Sequence, residues 1–291
     1  MKIIYKLLFL FLLTIGYSSC DFLDIVPDEI TTEADAFKDR NAAKNFVYSC
    51  YGYLPQSNVA SGSLDLLTGD EVITAFEHET FASFPKGNYT ASSPVISYWN
   101  TFFQGLRQCY IFLENVDKVP DLTESVKTDY IAQVKFLIAY YHYQLARCYG
   151  PIILIKELPD VNASQAEYLP RTSYDECVDW ICNLLDEAAS SLPAIRTNKE
   201  DYGLATSVGA KAVKAKMLLY AASPLFNGNS SFYSNFTDKS GSQLMPLTYD
   251  PNKWVKAKTA IKEAIDLAEQ NGHALYVKQD SVSYTHLTLP T

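Results

Sequence analysis

Four carboxylates lie close together in a long polar stretch of the sequence: Asp70, Glu71, Glu77 and Glu79. Two carboxylates that face each other across a glycosidic bond can hydrolyse it, one as general acid and the other as base or nucleophile. Carboxylates in a polar loop are, however, far more often solvated charges. We therefore predict no catalytic residues, and keep a glycosidase as the less favoured alternative.

Aromatic side chains accompany these carboxylates and suggest binding. A sugar ring has apolar C–H faces and polar edges, so a carbohydrate site combines flat aromatic surfaces with carboxylates and short polar groups. The stretch from 56 to 100 has that mixture. Our candidate ligand-binding residues are Asp70, Glu71, Phe84, Tyr89, Tyr98, Trp99 and Asn100. Trp99 is open to a second interpretation, as the first core residue of a helix.

A second aromatic stretch, from Phe226 to Tyr249, is the next candidate, either for the ligand or for a face that meets a partner protein. Other chemistry has little support. His78-Glu79 lacks the second histidine of a zinc-protease helix, and His142 and His273 are isolated in the sequence. The cysteines that follow Cys20 sit mostly in apolar patterns and are predicted to be small buried hydrophobes. We expect neither a metal nor a cofactor.

The N-terminus has the pattern of an export signal. Lys2 and Lys6 precede an apolar run over 7–15, which is too short to span a membrane, and small residues lead into Cys20. We predict a signal peptide over residues 1–19 and acylation of Cys20, which would become the mature N-terminus. Ordinary secretion, with Cys20 as a spare thiol, is the alternative.

The charge of the chain argues against one class of partner. The formal net charge is −9, and removing the two signal lysines takes it to −11. A basic face for a phosphate backbone is therefore not expected, and we predict no nucleic-acid binding.

The elements that must position these residues are helices. Apolar residues recur at three- and four-residue spacing through 39–272, which predicts at least six helices in antiparallel hairpins and almost no sheet. Long irregular loops over 56–97 and 223–252 separate them, and loops of that length tend to be functional. The predicted fold is all-α, with tetratricopeptide-like hairpins.

Capping residues and apolar spacing give the helix ends and the faces expected to be buried. A capping box over 173–176 begins one helix, Thr206 caps another, and Gly150-Pro151 ends the longest. The apolar stripes comprise Trp99, Phe103, Leu106, Tyr110, Leu113 and Val116; Tyr130, Val134, Leu137, Ile138, Tyr141, Leu145 and Cys148; Val178, Ile181, Leu185 and Ala188; Val208, Ala212, Ala215, Leu218, Leu219 and Ala222; and Trp254, Ala257, Ile261, Ile265 and Ala268.

Several segments in this order resemble the SusD/RagB lipoproteins of Bacteroidetes. They are Cys20-Asp21-Phe22-Leu23-Asp24, the helix from Trp99-Asn100-Thr101-Phe102 to Asn115, Phe136 to Leu145 closing on Tyr149-Gly150-Pro151, Arg171 to Tyr174, Ala210 to Leu219, and Ala222 to Gly228. The resemblance implies a lipid-anchored protein at the cell surface that captures a glycan and acts as a lid over a SusC-type TonB-dependent transporter of the outer membrane.

The resemblance also sets expectations for domain organisation. Family members usually continue beyond this length, so residues 20–280 are expected to be the N-terminal portion of a SusD-like domain. Residues 281–291 resemble neither the family nor the preceding helix, and we interpret them as a non-native tail. A helical-repeat scaffold that binds a protein and no sugar remains an alternative function. It would require a concave groove across several hairpins.

Overall fold

The computed structural model describes residues 33–55, 83–90, 92–95, 97–160, 162 and 169–275. The α-helices in this part of the chain are α1 (Glu33–Ala36), α2 (Arg40–Tyr51), α3 (Trp99–Asn115), α4 (Glu124–Tyr149), α5 (Tyr174–Ser191), α6 (Ser207–Ala222), α7 (Ser230–Tyr233) and α8 (Asn252–Gln270). Short 3₁₀ turns cover Val116–Lys118 and Lys199–Asp201. The described residues form no strand, only two isolated bridges, so the all-α prediction is confirmed.

The long helices pack in the order in which they occur. Helix α3 packs against α4, α4 against α5, α5 against α6, and α6 against α8, while α2 lies on α3 and α4. Residues 116–123 connect α3 to α4, and residues 192–206 connect α5 to α6. The Tyr98 N–H donates to the Tyr149 hydroxyl, and the Ser207 N–H donates to the Pro193 carbonyl, so each pair is an antiparallel hairpin, as the sequence predicts. The stack places the start of each hairpin's first helix beside the end of its second.

The helix ends lie at the predicted positions, but one of them is not capped in the predicted way. The Thr206 side chain accepts a hydrogen bond from the Gly209 N–H at 3.1 Å, and Gly150 ends α4 with a positive φ of 69°. Helix α5 begins after Ser173 as predicted, but the Ser173 side chain makes no capping hydrogen bond. The capping-box prediction is therefore wrong. The Tyr174 N–H instead donates to the Leu244 carbonyl at 2.8 Å, so the loop between α6 and α8 satisfies this helix end.

The buried faces differ from the predicted stripes in four helices. In α3 the fully buried residues include Phe102, Cys109 and Phe112, whereas Trp99, Phe103 and Leu113 are only partly buried. The predicted stripes also fail in α4, α6 and α8 at single positions. The residues predicted inside but found exposed are Cys148, Ala212, Leu219, Trp254 and Ile265.

Alanines explain the corrections in α6 and α8. These two helices meet through Ala215, Ala260 and Ala264, whose short side chains let the helices approach closely. Larger apolar residues on other faces of the same helices then stay outside. Periodicity finds an apolar stripe but cannot choose between two when a helix carries apolar residues on several faces. The prediction that Cys50, Cys109, Cys177 and Cys182 are buried is confirmed.

A polar network joins α2 and α4 to the segment that precedes α6. The Arg196 guanidinium donates to both carboxylate oxygens of Asp129, at 2.8 and 2.9 Å, and to the Ala205 carbonyl. The Tyr51 hydroxyl accepts from the Ala205 N–H at 2.9 Å and donates to Gln133 at 3.0 Å. The links from Arg196 to Asp129, from Tyr51 to Gln133 and from Ala205 to Tyr51 span 67, 82 and 154 residues of sequence, so the network fixes how these elements meet.

His142 makes a second buried polar link, between α4 and the segment that follows it. Its Nδ1 lies 2.8 Å from the Ile138 carbonyl, and its Nε2 accepts from the Ile155 N–H at 3.1 Å. This pattern requires a neutral ring with its proton on Nδ1. Burial lowers the pKa of His142 to about 4.

We expect His142 to make the fold sensitive to mild acid. Below about pH 6.5, the ordinary pKa of histidine, His142 is protonated in the unfolded chain but not in the folded chain. The free energy of unfolding therefore decreases as the pH is lowered. The slope is about 1.4 kcal/mol per pH unit from pH 6.5 down to about 4. Urea denaturation at several pH values checks this, with His142→Gln as the comparison. An equal slope in that variant would contradict the assignment.

Candidate functional site

Three aromatic residues meet where the start of α3 lies beside the end of α4. Two of them, Tyr98 and Trp99, are predicted ligand-binding residues, and the third is Tyr149. The Tyr98 N–H donates to the Tyr149 hydroxyl at 3.0 Å. The Trp99 ring meets the Tyr149 ring edge-on, with centroids 5.2 Å apart and an interplanar angle of 86°. Tyr98 and Trp99 are both partly buried, and Asn100 beside them is exposed. The hairpin geometry creates this cluster, because the N-terminus of α3 must lie beside the C-terminus of α4.

Trp99 has further neighbours that limit its open surface. Phe103, one helical turn along α3, lies 4.9 Å away between ring centroids. The guanidinium carbon of Arg171 lies over the indole, 5.3 Å from the ring centroid. Trp99 is therefore neither a bare platform nor a fully buried core residue. We call Tyr98, Trp99, Phe103, Tyr149 and Arg171 the Trp99 cluster.

Arg171 is held in place by the chain that follows α4. Its Nη1 donates to the Pro151 carbonyl at 2.7 Å and to the Tyr149 carbonyl at 3.3 Å. Gly150 makes the sharp turn that presents these carbonyls, with its φ of 69°. The backbone thus fixes the guanidinium above the indole, where cation–π attraction adds to the interaction.

The other candidates in the first loop divide into two groups. Phe84 and Tyr89 pack together with ring centroids 5.1 Å apart, in a turn made by Gly87, and Tyr89 is 49% exposed. Within the described residues no ring contact joins this pair to the Trp99 cluster. The carboxylates Asp70, Glu71, Glu77 and Glu79 lie outside the described residues.

The second aromatic loop is closed by the side-chain amide of Asn227. Phe226 stacks on Tyr174 at 4.8 Å and is buried, so it belongs to the core. Asn227 donates to the Asp250 carbonyl and accepts from the Asp250 N–H, both at 2.9 Å, which closes the loop. The exposed aromatic residues of this loop are Phe232 (74% exposed) and Tyr249 (57% exposed).

Sequence reasoning missed Tyr149 and Arg171 as site residues. A signal for Tyr149 was present, because pairing the predicted hairpin places the end of α4 beside Trp99. No such signal exists for Arg171. Its position depends on the path of the connection after Gly150, which apolar spacing does not describe.

A groove lies between α5, α6 and α8. Its volume is about 320 Å³, and its lining includes Asp179, Lys214 and Lys256. Among the residues that the structure describes, no group of three metal-ligating side chains lies together. Nor does this part of the chain contain a helix long and apolar enough to cross a membrane.

Comparison with known proteins places this architecture in a family. Residues 21–219 match a family model described as SusD-like, "Starch-binding associating with outer membrane". The chain therefore belongs to the SusD-like family, which confirms the resemblance seen in the sequence. The curated SusD-like protein P25 of Formosa agariphila is 23% identical over 230 residues, which cover 75% of this chain and 43% of that protein.

Solved structures also resemble this chain. The structure named BT4246 is 36% identical with a TM-score of 0.73, covering 81% of this chain and 41% of that one. A laminarin-binding SusD-like protein is 22% identical with a TM-score of 0.54, covering 64% of this chain and 41% of its own, and shows the fold alone. The chain spans about two fifths of the length of these relatives.

Proposed function

We propose that this protein is a cell-surface lipoprotein that binds glycans and delivers them to a SusC-type TonB-dependent transporter of the outer membrane. The observation that carries the proposal is the family match over residues 21–219, whose description names starch binding and the outer membrane. The protein in this account captures its ligand and performs no catalysis.

The Trp99 cluster supports a glycan site. It combines aromatic rings with an arginine and an adjoining exposed amide, Asn100, on an ordered helix start. Such a set offers stacking area and hydrogen-bond donors for sugar hydroxyls. We retain Phe84 and Tyr89 as a second contact region, and Asp70 and Glu71 as proposed partners for hydroxyl groups.

The experiment that tests glycan binding uses the full chain and a panel of polysaccharides, including laminarin, starch and dextran. Isothermal titration calorimetry and affinity electrophoresis measure binding, and an assay for new reducing ends measures hydrolysis. We expect retention of at least one polymer without release of sugars. Release would establish a glycosidase, and failure to bind any polymer would refute the glycan proposal.

Anchoring at Cys20 is the second part of the proposal. We expect the wild-type chain, expressed with its leader in a Gram-negative host, to incorporate a fatty-acid probe and fractionate with membranes. The Cys20→Ala variant should be exported without the label. Equal labelling of both chains would contradict acylation at this cysteine.

The second aromatic loop is our proposed face for the transporter, because Phe232 and Tyr249 are exposed on a loop that the Asn227 side-chain amide closes by two hydrogen bonds to the Asp250 backbone. Copurification with the transporter from solubilised membranes tests this. Undiminished recovery of the transporter with Phe232→Ala and Tyr249→Ala together would count against it.

One observation favours a different function. The groove between α5, α6 and α8 crosses neighbouring hairpins, which is the surface that a helical-repeat scaffold for proteins requires. Its mixed lysine and carboxylate lining would suit a polar peptide. The polysaccharide panel separates the two functions, because a scaffold binds none of its members.

A further inference from the structure

Arg171 determines what a ligand meets above Trp99. The guanidinium lies over the indole, and Arg171 is exposed to solvent. A sugar that stacked on this side of the indole would have to displace the guanidinium from two backbone carbonyls and from the ring. A ligand that leaves Arg171 in place meets a planar cation instead.

The free donors of Arg171 point to a particular chemistry. Both hydrogen bonds of Arg171 to backbone carbonyls use Nη1, and Nε and Nη2 donate to no atom of the described residues. Nor does Arg171 make an ion pair with any carboxylate in this part of the chain. A guanidinium with free donors on one edge matches the paired oxygens of a carboxylate or a sulfate group.

A second arginine extends the cationic surface along α3. Arg107 lies one helical turn beyond Phe103, which itself lies one turn beyond Trp99, so the three residues share a face of the helix. The Arg107 Nη1 donates to the Pro159 carbonyl at 3.0 Å, and within the described ranges Arg107 has no ion-pair partner. Two arginines, each anchored to the chain that follows α4, thus flank the aromatic pair.

We propose that the Trp99 cluster selects glycans that carry negatively charged groups, either carboxylate or sulfate, and that Arg171 is the specificity-determining residue. This inference rests on the proposed glycan binding and adds the ligand class. The chain as a whole carries a net charge of −9, so a general attraction for polyanions does not account for such a preference. Recognition must come from a local arrangement of this kind.

The test compares charged and neutral forms of the same polymer by calorimetry on the full chain. Dextran sulfate against dextran tests sulfate, and polygalacturonate against its methyl ester tests carboxylate. We expect the wild-type chain to bind one charged form about tenfold more tightly than its neutral counterpart, as one charge-assisted contact would give. The preference should weaken as salt is raised.

Substitutions assign the preference to Arg171. R171Q should abolish it, whereas R40Q, the same charge change at an exposed arginine of α2, should leave it intact. R171K keeps the charge without the planar guanidinium and should retain part of the preference. It replaces R171Q in the test if R171Q has a much lower melting temperature than wild type. R107Q should reduce the preference less than R171Q.

Three results would overturn the inference. Equal binding of charged and neutral polymers would refute the preference for anionic glycans while supporting glycan binding. Equal losses in R171Q and R40Q would show nonspecific charge attraction. Binding of no polymer at all would refute both this inference and the proposed function.

Discussion

Replacing Arg196 by alanine is expected to lower the free energy of unfolding by about 2–3 kcal/mol, the cost of leaving the partly buried Asp129 carboxylate without its bidentate partner. The side chains of Arg196 and Asp129 are only 11% and 26% exposed, and the pair is bidentate. Arg196 also donates to the Ala205 carbonyl, which would be left unsatisfied. Urea denaturation followed by circular dichroism at 222 nm measures the loss.

An exposed ion pair of this chain provides the matched control. Lys262 and Asp266 lie one turn apart on α8, and their side chains are 74% and 43% exposed. Lys262→Ala should therefore cost less than about 1 kcal/mol. Similar losses in the two variants would contradict the account, because they would mean that burial and geometry of the Arg196 pair contribute nothing beyond surface charge.

The Arg196 network also shows what sequence patterns cannot disclose. Asp129 and Arg196 are separated by 67 residues, and Tyr51 and Ala205 by 154. Apolar spacing reports the contacts of a residue with its own helix. It carries no information on which polar groups meet once helices stack, so this network could not have been predicted from one sequence.

The helices and their ends were much easier to predict from the sequence than this polar network. The predicted boundaries at Gly150 and Thr206 agree with the structure, because local capping and turn preferences set them. The boundary at Ser173 also agrees, although its side chain makes no capping hydrogen bond. The choice of buried face was not local. In α8 the sequence favoured a stripe containing Trp254 and Ile265, but close packing of alanines against α6 left these two side chains exposed.

The candidate site was predictable in part for the same reason. Tyr98 and Trp99 do lie in one cluster, because they begin a helix whose hairpin partner ends beside them. Arg171 reaches the cluster through a connection without periodic structure. A contribution of Asp70 and Glu71 to the site remains a prediction, since they lie outside the described residues.

The second large effect is expected at Trp99. Trp99→Ala should reduce glycan affinity by about tenfold or more, since it removes both a stacking surface and the support of Arg171. Trp99 is only partly buried, so its loss should cost about 1–2 kcal/mol of stability. The fully buried neighbour Phe102, replaced by alanine, should cost about 3–5 kcal/mol.

The most direct test of a glycan site in the Trp99 cluster is a calorimetric titration of the polymer that binds best, with thermal melts, on wild type, Trp99→Ala and Phe232→Ala. Phe232 is the matched control, an aromatic residue 74% exposed on the second loop. We expect Trp99→Ala to lose binding with a modest fall in melting temperature, and Phe232→Ala to bind like wild type. Unchanged binding by a folded Trp99→Ala chain, or loss of binding in Phe232→Ala alone, would contradict it.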